Sequence, residues 1–323
     1  MNCNQQKKFE PLVSIVIPVY NGSNFLREAI DSALDQTYSN TEVIVVNDGS
    51  NDDGATERIA LEYSDRIRYF FKPNGGVSSA LNYGIRVMKG EYFSWLSHDD
   101  VYNAQKIKKE VEALSKARSK YDLVLCRTEY IDKDSNSIKS KSKMHDQTTE
   151  YITDVEALLH LFKKGTYNGC AFLISKCVFE KCGLFNEDYR FNQDGLMWAT
   201  MFLNKISIIS IPYIGVKSRI HNGQLTRKGL SLFHEECERM SGTLLPRLSE
   251  CTNKEYRLVY AYAKYNAKHR NDAVVKKTFK ESNKEDLTIF ERIVVRLYIV
   301  YGAIRSLAKK IYYKLFRKID VRG

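Results

Sequence analysis

Two stretches decide the fold: Ser14-Ile15-Val16-Ile17-Pro18-Val19 and Glu42-Val43-Ile44-Val45-Val46-Asn47. Each is a short β-branched apolar run that ends in turn residues, the pattern of a strand buried on both faces. Between them Phe25, Leu26, Ile30, Ala33 and Leu34 recur at helical spacing, so the segment reads as strand, helix and strand in parallel. Working outward, a second helix over 52–63 leads to a strand at Arg68–Phe71, and a third over 78–88 leads to a strand at Tyr92–Leu96. This alternation predicts an α/β fold, a Rossmann-like and mostly parallel sheet with helices on both faces.

Sheets of this kind bind ligands beyond the carboxyl ends of their strands. The polar tips at those ends are Pro18–Gly22, Asn47–Ser50, Lys72–Gly76 and Ser97–Asp100. Further on, the pattern predicts a helix over 104–117, a strand at Leu123–Cys126 and a solvated excursion over 132–149. It then predicts a strand at Asn168–Ser175, a helix at Asp194–Asn204 and a strand at Ile206–Ile211. Residues 1–230 are assigned to the catalytic region and 231–323 to a basic helical region.

The chain has 323 residues, 43% hydrophobic and 12% aromatic, enough to bury a core, which excludes a disordered chain. Its seven cysteines are odd in number and irregularly spaced, with no CxxC pair. They read as reduced core residues rather than a disulfide framework or a zinc site. Met1–Pro11 lacks the apolar stretch of a secretory signal, and no apolar run reaches the ~18 residues of a membrane span. The expected location is the cytoplasm, either free or peripheral on the inner face of the plasma membrane.

The net charge of +11 resides wholly in 252–323, where 18 Lys and Arg face 7 Asp and Glu. From Phe290 an apolar series runs through Val294, Leu297, Tyr301, Ile304, Ala308, Ile311, Leu315 and Ile319, bordered by basic residues. That pattern predicts a helix lying in an anionic membrane surface; the competing reading is a helix packed on the protein or on a partner subunit. No nucleic-acid-binding module is recognisable, so nucleic acid is not an expected partner.

Adjacent carboxylates such as Asp99 and Asp100 repel each other unless a cation or a hydroxyl group offsets the charge. Mg²⁺ or Mn²⁺ does this with one or two carboxylates plus substrate phosphate oxygens. Asp48 precedes Gly49, where the backbone can turn and leave the carboxylate projecting to accept from a nucleobase N–H; a plain turn-forming Asp-Gly pair is the other reading.

In order and spacing, SIVIPVYNG, VNDGSNDD, NGGVSSALNYGI, YFSWLSHDDVY and FNQDGLMW resemble the successive motifs of inverting family 2 glycosyltransferases of the GT-A fold, of the bacterial polysaccharide-biosynthesis type. The resemblance covers roughly Pro11 to His221. It implies a nucleotide-sugar donor, a UDP-sugar, and a glycan or lipid-linked oligosaccharide acceptor in the building of the cell envelope. It puts Pro18, Tyr20, Asp48 and Asp99 on the nucleotide and Asp100, with His221, on Mn²⁺ or Mg²⁺. Asp194 falls on the general base, and Asn168 and Gly169 border the acceptor. Arg219 is expected to meet phosphate. The chain departs from the family at Ser97 and Asn47, where Asp is frequent, and at Leu81, where Arg is usual. Those departures keep a second reading open, a catalytically lapsed GT-A domain that binds sugar nucleotides or acts as a scaffold.

Overall fold

The computed structural model describes residues 9–138, 148–221, 230–250, 258–268, 271–281, 287–297 and 299–300. In chain order the elements are β1 (Val13–Val19), α1 (Leu26–Leu34), β2 (Thr41–Asn47), α2 (Ala55–Leu61), β3 (Arg68–Phe71), α3 (Val77–Val87), β4 (Tyr92–Trp95) and β5 (Val101–Tyr102). Next come α4 (Lys106–Ala113), β6 (Leu123–Ile131), β7 (Ser137–Ile138), β8 (Glu150–Ile152), α5 (Asp154–Lys164), β9 (Phe172–Ser175), α6 (Lys176–Cys182), α7 (Gln193–Leu203) and β10 (Ile208–Arg219). Helices α8 (Leu230–Glu250), α9 (Leu258–Lys268) and α10 (Asp272–Glu281) follow. The chain divides into two compact units, Met1–Ala157 with Tyr167–Lys228, and Leu158–Thr166 with Gly229–Gly323.

The sheet of the first unit runs β3-β2-β1-β4-β9-β6-β10-β5, with β7 on β6 and β8 on β10. Every residue of β1, Ser14 included, is buried, as expected of a mainly apolar strand between two parallel neighbours. β1 to β4 are mutually parallel, and β9 is antiparallel to both β4 and β6. It follows that β6, and β10 which pairs parallel with it, point the same way as β1. The carboxyl ends of β1, β2, β3, β4 and β10 therefore share one rim, and the amino end of β9 lies on it as well. α7 packs on β9 through Trp198 and Phe172, and Arg190, just ahead of α7, lies against Gly76 at the start of α3, which brings the start of α7 towards the rim.

Several segments differ from the sequence expectation: β6 runs on to Ile131, Gly169–Ala171 is a 3₁₀ turn ahead of β9, and β5, β8 and α6 have no counterpart in it. β10 continues eight residues past Ile211 to Arg219, because register shifts between Ser210 and Ile214 and between Ile214 and Val216 accommodate Pro212, which has no N–H to give a ladder. α5 has no counterpart in the sequence reading. Its start is a capping box: the main-chain N–H and hydroxyl of Thr153 donate to Glu156 at 2.9 and 2.8 Å, and the Glu156 N–H donates back at 3.3 Å. In the excursion at 132–149, residues 132–138 form a turn and β7, and 139–147 lie outside the described residues. The described cysteines Cys126, Cys170, Cys177, Cys182 and Cys237 are free thiols.

The second unit packs Ala263, Ala267, Val275 and Val295 into a core, with Tyr260, Phe279 and Ile299 against it. Of the expected tail series, Phe290 and Leu297 are exposed at 73% and 61%, and Ile289, Ile293 and Val300 join them on the surface. The helical residues 289–297 and 299–300 are thus held by Val295 and Ile299, while Phe290 and Leu297 of the predicted stripe face outward and Val294 is half-buried. Tyr301 and the rest of the series lie outside the described residues. No described helix is long and apolar enough to cross a membrane.

Candidate active site

The rim carries two carboxylate clusters. In the first, Asp48 does not project; it is 3% exposed. Gly49 turns the chain at φ 71°, and a Cβ there would strike the main-chain nitrogen of Asn74, so the tips of β2 and β3 close on each other. Asp48 Oδ1 accepts from Lys72 Nζ at 2.6 Å and from the Gly75 N–H at 3.0 Å, and Oδ2 accepts from the Gly76 N–H at 2.7 Å. Asn74 Nδ2 donates to the Asp48 carbonyl at 2.9 Å. The Asp48 carboxylate therefore organises the 72–76 loop and the uncapped start of α3. Gly76, at φ 87°, has the Arg190 guanidinium in the space a side chain would take. Leu81 is fully buried, so the cations beside this loop are Lys72 and Arg190, neither of which the sequence reading singled out. The Lys72-Pro73-Asn74-Gly75-Gly76 turn held a signal for the first; Arg190 had none, being distant in sequence.

Pro18 sits in β1 opposite Val46, next to this cluster. Tyr20 is 44% exposed, and its hydroxyl donates to Asn51 Oδ1 at 3.3 Å. Asn47 donates to the Tyr69 hydroxyl and accepts from the Ser50 N–H; an Asp in its place would have no hydrogen to give Tyr69.

The second cluster joins Asp99 and Asp100 to the end of β10. Asp99 Oδ2 lies 3.0 Å from His221 Nε2, and the His221 ring packs on Phe25 at 5.1 Å. Asp100, 5% exposed, accepts from the Arg219 main-chain N–H at 2.9 Å, with the Cys170 thiol and Ser218 hydroxyl as further partners. Burial and the neighbouring Asp99 charge push the Asp100 carboxyl up to about 7. The expectation that Arg219 meets phosphate is corrected. Its side chain is 1% exposed and its donors go to Asp99, Asp132, Lys133, Ser135 and Glu28.

Asn168 caps the 3₁₀ turn at Gly169–Ala171, its side chain accepting from the Cys170 N–H at 2.9 Å. Gly169 is buried with the Trp95 ring where a Cβ would sit, and Cys170 meets Ser97 at 3.3 Å. This segment thus braces the 97–100 loop. Asp194 stands in the first turn of α7, where the helix dipole favours a carboxylate, and accepts from the Gly195 N–H at 2.7 Å. Trp198 is fully buried against Phe172 and Phe185 at 4.7 and 6.1 Å and fixes that helix on the sheet.

A divalent ion suits the second cluster: two adjacent carboxylates, one of them buried, are hard oxygen donors, with an imidazole beside them. Among the described residues no group of three or more His, Cys, Asp or Glu side chains is placed to hold a metal ion by itself.

Residues 14–183 match the family described as Glycosyl transferase family 2. An uncharacterized glycosyltransferase of Rickettsia typhi is 45% identical over 247 residues, 76% of this chain and 75% of that protein. One of Rickettsia bellii is 46% identical over 242 residues, 75% of this chain, and there the chain spans only 34% of the relative's length. Among solved structures, S. aureus TarS residues 1–349 in complex with UDP-GlcNAc aligns with a TM-score of 0.65 at 16% identity, covering 88% of this chain and 79% of that one.

Proposed function

From the premise that the chain belongs to glycosyl transferase family 2 and is a glycosyltransferase, we propose that it is an inverting transferase moving a sugar from a UDP-sugar to a hydroxyl of a glycan or lipid-linked acceptor. The observation that supports this reading best is the shared rim, which carries Asp48 and the Asp99–Asp100–His221 group, with Arg190, just ahead of α7, against Gly76. The nucleobase lies against Pro18, Tyr20 and the 72–76 loop that Asp48 organises. Asp99 meets the ribose or diphosphate. Asp100 and His221 hold Mn²⁺ or Mg²⁺, which when bound offsets the charge of the leaving diphosphate. Asp194 takes the proton of the acceptor hydroxyl as that oxygen attacks the anomeric carbon opposite the leaving nucleotide, and Asn168 borders the acceptor.

A panel of nucleotide sugars, each screened for protection against thermal unfolding with Mn²⁺ and with chelator, tests the donor. A selective ligand raises the melting temperature by mass action, and no response to any UDP-sugar overturns the reading.

The outward apolar residues Ile289, Phe290, Ile293, Leu297 and Val300, together with the net charge concentrated in 252–323, support peripheral attachment to an anionic membrane. The full chain should sediment with anionic vesicles and be released by salt, whereas a chain lacking 287–323 should stay in solution. Failure of the full chain to sediment removes the membrane from the proposal.

A further inference from the structure

We infer that Arg219 is a positioning residue which, with Glu28 as its counter-charge, sets the Asp99–Asp100 pair in place from beneath. The inference rests on the reading that this pair belongs to the transfer site. Three segments meet at this corner of the rim: the 97–100 loop, the 132–135 turn after β6, and the end of β10. The β10–β6 ladder ends at Arg219 and Ile131, and beyond it the main-chain carbonyls of the 97–100 loop and the 132–135 turn need donors from elsewhere. The Arg219 guanidinium supplies them. Nε donates to the Asp99 carbonyl at 2.9 Å, and Nη1 donates to the carbonyls of Asp132 and Lys133 and to Ser135 Oγ at 3.1, 3.3 and 2.9 Å.

The remaining side of the fork closes a ring. Nη2 donates to Glu28 Oε2 at 2.5 Å, and Ser135 Oγ donates to Glu28 Oε1 at 2.7 Å, which ties α1 to the same point. Ser135 holds a left-handed backbone, φ 64°, a conformation that costs free energy in a non-glycine residue and persists where its surroundings determine it. The guanidinium carbon lies 4.5 Å from the centre of the Phe25 ring, the ring that also packs on His221. At 1% exposure, with its donors turned to the protein, this arginine is not a ligand for phosphate. Its backbone N–H donates to Asp100 Oδ1 at 2.9 Å, beside the Cys170 thiol and Ser218 hydroxyl, and His221, two residues on, meets Asp99. Rotation or retreat of the side chain therefore shifts both carboxylates together.

A lysine keeps the charge but lacks the planar fork, which makes Arg219→Lys the discriminating change. Glu28, whose side chain is 44% exposed, provides a second variant that tolerates substitution if Arg219→Lys fails to fold. Calorimetry of UDP binding to the full chain, in Mn²⁺ and in chelator, reads the geometry of the carboxylate pair. In the wild type Mn²⁺ should tighten UDP binding. In Arg219→Lys and Glu28→Ala that tightening should fall at least about tenfold, the order expected for displacing a site by an ångström or less, while affinity in chelator changes less than about threefold because the Asp48 cluster is untouched. Glu28→Gln, which keeps an acceptor for Nη2, should recover most of the loss. If the wild type shows the Mn²⁺ effect and both Arg219→Lys and Glu28→Ala retain it in full, the positioning role is overturned and the site reading stands. If the wild type shows no Mn²⁺ effect, the metal reading of the site falls, and this inference falls with it.

Discussion

Asp48 and Asp100 are both buried carboxylates on the same rim, and they are neutralised in opposite ways. Asp48 faces an ammonium, Lys72 Nζ at 2.6 Å, and two main-chain N–H groups. Asp100 is held by an N–H, a thiol and a hydroxyl, with a second carboxylate next to it. Its nearest arginine gives it only a main-chain N–H and turns the guanidinium away to Glu28 and three carbonyls. The first cluster is electrostatically complete and shapes a loop; the second is short of positive charge and waits for it. A nucleobase needs shape and neutral hydrogen-bonding groups, whereas a diphosphate needs cations, so under the proposed function the difference separates the two ends of one donor.

The transfer step itself is assigned to a carboxylate outside both clusters, and that assignment carries the largest expected effect. Asp194→Asn should lower turnover by about 10²–10⁴-fold, the usual contribution of a positioned general base, with UDP affinity nearly unchanged. Initial rates at saturating acceptor together with UDP titrations check this. Turnover within threefold of wild type would return the search for the base to the two clusters.

Asp48→Ala should act on stability. It leaves Lys72, whose side chain is 15% exposed, without its counter-ion and two loop amides without an acceptor. Breaking such a buried pair costs about 3 kcal/mol, to be read from urea unfolding. Asp99→Ala, which relieves repulsion, should cost far less. Equal losses from the two substitutions would erase the contrast between the clusters.

Asp100→Ala should remove the tightening of UDP by Mn²⁺, an effect of about tenfold, and leave affinity in chelator as it was. Asp48→Ala should weaken UDP in both conditions alike. Calorimetry with and without chelator separates them, and an Mn²⁺ effect surviving in Asp100→Ala would break the assignment of the ion to the second cluster.

The sheet was legible because β1 is buried in every residue and β2 in its last five, and the rim followed from strand order. Asp48, Asp99 and Asp100 could be placed at strand ends because their motifs are contiguous. What they bind within the protein was not legible. Arg190 reaches Gly76, and Glu28 reaches Arg219, across distances in sequence that no local pattern encodes. The sequence reading also ended β10 at Ile211, since Pro212 is a poor strand residue; the bulge that passes it exists only because β6 is there to pair with. Had the strand been followed to Arg219, the arginine would still have looked like a phosphate ligand, because burial is not written in a single residue.

A buried carboxylate beneath the rim sharpens the comparison by combining features of both clusters. Glu110 and Lys106 are fully buried one helical turn apart on α4, with Nζ 2.9 Å from Oε2, and Lys106 also donates to Ser94 Oγ at 3.0 Å. Like Asp48, Glu110 has an ammonium partner. Like Asp100, it is pushed up to about 7, because loss of solvent outweighs the attraction of Lys106. The folded protein therefore holds the Glu110 proton more tightly than the unfolded chain, whose carboxyl has the ordinary value of 4.5. The resulting contribution to stability is complete below about pH 4.5 and is lost as pH rises through about 7. Glu110→Gln cannot titrate, so the melting temperature of the wild type minus that of the variant should shrink steadily between pH 5 and pH 8, by a few degrees, whatever its starting value. Thermal unfolding of both proteins across that range measures it. A difference that stays flat or grows would mean that Lys106 keeps Glu110 ionised throughout and that one buried ammonium outweighs the loss of solvent.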